Sequence, residues 1–153
     1  MLGRAKLEDF WMLAAIEGAW DVKEHFILYP NPYPKDRQLN KRWHGHPAFP
    51  LILGLGGIVT VRTDWFQFVE EFARAVELLH HASQLHDLRE VKHLQGWEGG
   101  DAAAAYTQSA AQGPQLLDDI GEGLTNFEEK YARSGRKLYE LKLHPSKELE
   151  REL

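Results

Sequence analysis

The sequence predicts an α/β fold, and three observations carry that prediction. Two short apolar runs, Phe26–Tyr29 and Ile58–Val61, have the length and the aliphatic or β-branched character of buried strands. A long helical stripe follows the second run. A third run, Leu138 to Leu143, alternates apolar and charged residues near the C-terminus. Strand, loop, helix, strand, helix is the order found in the middle of an α/β sheet.

Taken in order, Leu7, Phe10, Trp11 and Ala14 recur at helical spacing, which predicts an amphipathic helix over 6–17 that Gly18 ends. The strand Phe26–Tyr29 is stopped by Pro30. Five of the seven prolines fall between 30 and 50, so 30–35 reads as a rigid loop leaving that strand. Residues 47–55 predict a short helix closed by Gly56-Gly57. The second strand follows. Trp65, Phe68, Val69, Phe72, Val76 and Leu79 then form the apolar stripe of a long helix. Residues 83–100 are polar and marked by glycine, and Ala102–Ala111 predicts one helix on propensity, stopped by Gly113-Pro114. Leu116–Gly123 reads as an acidic loop, and the tail after Pro145 as charged and frayed.

A chain of 153 residues fits one domain, here residues 1–145 with a charged tail at 146–153. With 43% hydrophobic and 27% charged residues it reads as globular rather than disordered. The absence of Cys excludes a disulfide scaffold, a thiolate metal site and a Cys nucleophile. A formal charge of -5 means that any contact with nucleic acid comes from a local patch. Phe10–Ile16 is too short and too poorly flanked for a secretion signal. Residues 47–61 are uncharged, but they carry Pro and Gly and fall short of the ~20 apolar residues of a membrane span. A soluble, cytoplasmic protein is the expectation.

Ligands in α/β sheets sit at the carboxyl ends of strands, and both polar clusters fall there. Asn31-Pro32-Tyr33-Pro34 offers an amide, a ring and two prolines to hold them, which suits a base-binding loop; it also suits a proline-stiffened turn. Lys35, Arg37, Lys41 and Arg42 are candidates to grip phosphates, or else a solvated loop. Asp64 either aims a carboxylate into the strand-end crevice or caps the following helix, with Gln67 three residues on. Thr125-Asn126-Phe127-Glu128 is itself the capping-box pattern, and spacing favours caps at both places. His44 and His46, and the set His80, His81 and His86, lack a third ligand at a recognisable spacing, so no metal is expected. Gly54-x-Gly56-Gly57 precedes a strand and is no phosphate loop.

Together these motifs resemble a known family. Tyr29-Pro30-Asn31-Pro32-Tyr33-Pro34-Lys35 with Lys41-Arg42 is similar to the proline-rich loop and basic stretch of bacterial tRNA (guanine-N7)-methyltransferases. Gly56-Gly57 before a strand ending in Thr63-Asp64-Trp65 resembles that family's next motif. Thr125-x-Phe127-Glu128, with Gly135 and the strand Leu138–Leu143, resembles its C-terminal one. The matches occur in the family's order over roughly residues 25–143. The resemblance implies the C-terminal half of a Rossmann-like class I methyltransferase sheet, S-adenosylmethionine as donor and guanosine in tRNA as acceptor. By position it implies that Asn31, Asp64, Thr125 and Glu128 line the transfer pocket. Tyr33, Lys35, Arg37, Lys41 and Arg42 would face the RNA, and Tyr29 and Pro30 the cofactor.

Two departures qualify this. Asn31 stands where the family has aspartate, and an amide cannot accept two adjacent donors as a carboxylate does. Asn-Pro-Tyr also echoes the loop of enzymes that methylate exocyclic amino groups, an alternative chemistry. Second, nothing before Phe26 resembles the strand, Gly-rich turn and helix that hold the cofactor. The expectation is therefore a truncated or degenerate methyltransferase with little activity of its own. The competing expectation is a non-enzymatic RNA-binding or partner-binding half-domain. A half sheet would expose a strand edge, to be covered by a second copy or another chain.

Overall fold

The aliphatic runs pair as a parallel unit. β1 (Glu24–Leu28) lies beside β2 (Ile58–Thr63), with Glu24 opposite Ile58 and Leu28 opposite Arg62. A computed structural model of the chain describes residues 6–84, 99–121 and 123–146. Parallel strands need a crossover. Here it runs through 3-10 turns at Asp36–Lys41 and Trp43–Gly45 and the short helix α2 (Phe49–Gly54), whose second residue is Pro50. β1 begins earlier than the apolar run implies, because His25 and Ile27 alternate inward and Tyr29 has already left the extended conformation.

The C-terminal strand β4 (Tyr139–Leu143) pairs antiparallel to β2, placing Val59 opposite Leu143 and Arg62 opposite Glu140. A two-residue strand β3 (Gln115–Leu116) pairs antiparallel on its far side. The result is a mixed sheet in the order β1-β2-β4-β3, within an α/β fold. The first residue of the expected acidic loop, Leu116, is thus in a strand, held because Leu116 pairs with Tyr139.

Val59, Val61, Leu141 and Leu143 are fully buried on one face of this sheet, joined by His25 and Ile27 of β1. The helix α3 (Phe66–Gln84) packs Phe68, Val69, Phe72 and Val76 there, and Phe72 meets Phe49 of α2 edge to face at 5.1 Å. The stripe read from the sequence is the core face of α3. On the opposite face Phe26 and Lys142 are exposed. Gly57 has φ +81°, and a Cβ there would lie 2.6 Å from the Val22 carbonyl oxygen, so glycine lets the chain enter β2 beside the start of β1.

The alanine-rich helix divides into α4 (Gly99–Ala104) and α5 (Thr107–Gln112). Propensity dips at Tyr106-Thr107, and a tertiary contact fixes the break there. The Tyr106 ring is buried between the two pieces and its hydroxyl donates to the Gly57 carbonyl at 2.8 Å. The helix α1 (Leu7–Glu17) ends at Gly18 as expected, with Gly18 left-handed and its N–H on the Ala14 carbonyl. Its expected amphipathic stripe is only half used. Trp11 and Ala14 are buried, Trp11 against Trp43, while Leu7 and Phe10 stay largely exposed. Most of the polar segment 83–100 and of the charged tail lies outside the described residues. Among those described, no helix is long and apolar enough to cross a membrane.

Candidate functional site

The last helix, α6 (Asn126–Arg133), brings Glu128 to the carboxyl ends of β1 and β2. Thr125 is its N-cap: the Thr125 hydroxyl accepts from the Glu128 N–H at 3.2 Å. The Glu128 carboxylate reaches back to the Leu124 N–H at 2.5 Å, one residue earlier than in the usual capping box. Its other oxygen accepts from the Tyr29 hydroxyl at 2.8 Å and from Arg62 Nη1 at 3.0 Å. Arg62 also donates through Nε to Glu140 at 2.7 Å, across the β2–β4 ladder.

Glu128 is 0% exposed. Burial alone would push its carboxyl up. The Leu124 N–H, the Tyr29 hydroxyl and the Arg62 guanidinium outweigh that and hold it below the usual carboxylate range. The same contact raises Tyr29: burial comes first, then the hydrogen bond to Glu128, with nearby Asp64 adding to it. Glu128 is a buried, charged strut. Three donors meet its two oxygens and it has no exposed surface, so it is not presented to a ligand.

Asp64 is the reachable carboxylate. It pairs with Arg136 Nη1 at 2.5 Å, with side chains 27% and 57% exposed. The cap expected from Asp64 is not made. α3 starts at Phe66, and Thr63 Oγ1, not Asp64, accepts the Trp65 N–H at 3.2 Å. Arg136 draws Asp64 away, and Gln67 instead donates to Glu71. Arg136 also lies over the Tyr131 ring at 4.8 Å, and Tyr131 meets Tyr29 at 5.6 Å.

The loop after β1 has two non-glycine residues at positive φ, Tyr29 at 48° and Tyr33 at 43°. Such left-handed positions are costly for aromatic residues and persist where the surroundings fix them. Glu128 holds Tyr29 by its hydroxyl. Tyr33 is held twice: its N–H donates to Asn31 Oδ1 at 3.2 Å, and its carbonyl accepts from Arg42 Nε and Nη2 at 3.2 and 3.0 Å. Asn31 is thus the head of a side-chain turn in an exposed loop.

Arg42 differs from the other cations of its group. It is 2% exposed, pairs with Glu71, and lies over the Trp65 ring at 5.1 Å. It ties the loop to α3 and, unlike an exposed phosphate-gripping cation, does not face solvent: burial, Glu71 and the Tyr33 carbonyl have taken its donors. Lys35, Arg37 and Lys41 are exposed, and Lys41 Nζ lies 5.8 Å from the Tyr33 ring centroid.

The described histidines bond separate partners. His25 Nε2 bonds the Gly56 carbonyl at 2.9 Å, His44 Nε2 faces Glu71 at 3.1 Å, His46 Nδ1 accepts the Ala48 N–H, and His81 bonds the Glu77 carbonyl. Burial lowers His25 and His44, partly offset by the Gly56 carbonyl and by Glu71 respectively. Among the described residues no group of three His, Asp or Glu is placed to hold a metal, and His86 lies outside them.

Sequence reasoning missed Arg62, Tyr131, Arg136 and Glu140. An arginine inside the apolar run Ile58–Thr63 was the available signal, since a strand cation needs a partner. A groove of about 480 Å³ lies elsewhere, between α1 and β1. Compared with known proteins, the chain matches no family model and no curated protein.

Proposed function

We propose that this chain is the acceptor side of a tRNA (guanine-N7)-methyltransferase-like protein, built on the C-terminal half of a Rossmann-like sheet and acting in the cytoplasm. One observation carries the reading. Tyr29, Arg62 and Glu128, each in or beside one of the three motif segments and up to 99 residues apart, meet at the carboxyl ends of the parallel strands, with Asp64 beside them.

The N7 of guanine has a free lone pair, so its attack on a methyl donor needs no general base. The protein has to hold the base in line. Guanine's Watson–Crick edge presents two adjacent donors, which one carboxylate accepts. Asp64 is suited to this, exchanging Arg136 for the base. Glu128 and Thr125 act a step back, fixing Tyr29 and the start of α6. Tyr33 offers a ring for stacking, and Lys35, Arg37 and Lys41 offer charges to phosphates.

The cofactor side is different. The Tyr29 hydroxyl is committed to Glu128, its N–H to the Arg62 carbonyl, and Pro30 has no N–H, so neither residue has a free hydrogen-bond donor for S-adenosylmethionine. The described residues supply the acceptor wall and leave the donor to be held by other groups.

The test is tRNA binding by the purified chain across salt concentrations, with methyl transfer from labelled S-adenosylmethionine followed in parallel. Binding should weaken with salt with a log–log slope of about -2 to -3, for three phosphate contacts. Asp64→Asn should reduce binding of guanosine-containing RNA and leave the slope unchanged. Transfer by the chain alone should stay near background. Salt-independent binding would refute the basic surface, and robust transfer would refute the missing donor site. Mass spectrometry of any modified nucleoside separates N7 from exocyclic amino methylation. An RNA-binding module without catalysis is the second reading, favoured by the burial of Glu128 within its hydrogen bonds; tRNA binding insensitive to Asp64→Asn would select it.

A further inference from the structure

Among the described residues β1 is the outer strand of the sheet, and its far side is unpaired. The ladder to β2 uses the Lys23 carbonyl and the Tyr29 N–H, and by alternation the backbone groups of His25 and Ile27. The N–H and C=O groups of Glu24, Phe26 and Leu28 therefore point away from β2. Among the described residues no hydrogen bond reaches them. Of the usual edge protection the strand carries only its short length and one charge, Glu24: no Lys, no Pro and no bulge lies within it.

A second, independent observation lies beside this edge. α1 is apolar on nearly all sides, as buried helices are, yet it buries only Trp11 and Ala14. Met12, Leu13 and Ile16 are exposed, Ile16 at 74%, and Phe26 on β1 is 52% exposed. The groove between α1 and β1 is lined by Phe10, Trp20 and Phe26 among others.

We propose that a second copy of this chain docks antiparallel along β1, about a twofold axis through Phe26. That register sets Phe26 against Phe26 and Glu24 against Leu28 of the second copy. All the outward backbone groups of the three residues then find partners on both chains. The strand's one carboxylate, Glu24, meets an apolar residue rather than its own copy, so no like charges face each other. Two aromatic rings stack across the axis. The axis is perpendicular to the sheet, so it sets both α1 helices on the same side of the joined sheet. One operation thereby pairs the open edge of both copies. The proposal does not depend on the RNA reading.

Light scattering on the full-length chain, from low to high micromolar concentration, tests it. The expected mass is twice 17.6 kDa. Phe26→Pro removes an N–H that only the dimer uses and should give a monomer with an unchanged circular dichroism spectrum. Phe26→Lys, which sets two charges face to face, should do the same if the proline variant misfolds. Phe127→Lys, at another exposed aromatic on α6, should remain a dimer. A wild-type monomer at every concentration, an open-ended series of larger assemblies, or a dimer that survives both Phe26 substitutions would overturn the proposal.

Discussion

At the carboxyl end of β1 the Glu128 carboxylate is met on both oxygens by donors from Tyr29, Arg62 and Leu124. Along the outer edge of the same strand, the backbone of Glu24, Phe26 and Leu28 meets nothing among the described residues. The two regions lie a few residues apart and differ in kind. The first is polar and closed: its charges are paired within the fold, and Asp64 with Arg136 and, in part, Glu140 reach the surface. The second is apolar and open, with exposed rings and aliphatic side chains beside unpaired backbone. The residue types that look most like chemistry are here the ones that hold the chain together. The region that reads in sequence as ordinary helix and strand is the one still lacking a partner.

The largest way to break the closed region is Glu128→Ala. It leaves the Tyr29 hydroxyl, the Leu124 N–H and part of Arg62 without an acceptor. Removing one partner of a buried ionic network costs about 3–5 kcal/mol. Urea denaturation should show a loss of that size. Wild-type stability in this variant would mean that the strut is not one.

Arg42→Ala sharpens the contrast within the basic group. Arg42 is buried on Glu71 and the Tyr33 carbonyl, so its loss should cost about 2–3 kcal/mol. Lys41→Ala, on an exposed side chain, should stay within about 0.5 kcal/mol in stability and yet reduce the salt slope of RNA binding by about one contact. Equal stability effects at the two positions would erase the distinction between loop anchor and ligand contact.

The fold was legible where it follows from apolar period. The α3 stripe and the strand at 139 came from spacing that a buried face requires, and the strand at 58 from a β-branched run. Three features were not legible, for separable reasons. The break at Tyr106 depends on a hydroxyl reaching Gly57, 49 residues away. The cap at Asp64 was lost to Arg136, 72 residues away, and no local pattern reports such a competitor. Arg42 is indistinguishable in sequence from Lys41, because its burial is decided by Glu71 and Trp65 on another element. At the site, Tyr29, Asp64 and Glu128 were named before their meeting was seen. Arg62, which joins Glu128 to Glu140, was not, since strand pairing alone brings that arginine to both acids.

The gentlest probe is pH, which separates the groups by the sign of their shifts. His25 and His44 titrate below their ordinary value of 6.5 in the folded chain, because burial disfavours the charged ring. The unfolded chain therefore binds their protons first. Their contribution is complete above pH 6.5 and declines as pH falls below it. Glu128 and Glu71 are also lowered, since their donors and cations outweigh burial, and the unfolded chain again protonates first, from about 4.5 downward. Tyr29 and Tyr106 shift the other way, raised by burial, so their contribution is complete below pH 10 and declines above it. Urea midpoints against pH should form a plateau between about 6.5 and 10 with two successive steps on the acid side. His44→Phe keeps a ring between Phe68 and Phe72 and should shrink the first step, touching the second only through Glu71, which His44 helps to hold down. A first step unchanged in that variant would assign it to His25 alone, whose ring bonds Gly56 at the start of β2. The acid sensitivity would then lie at the open edge of the sheet and not at the closed end.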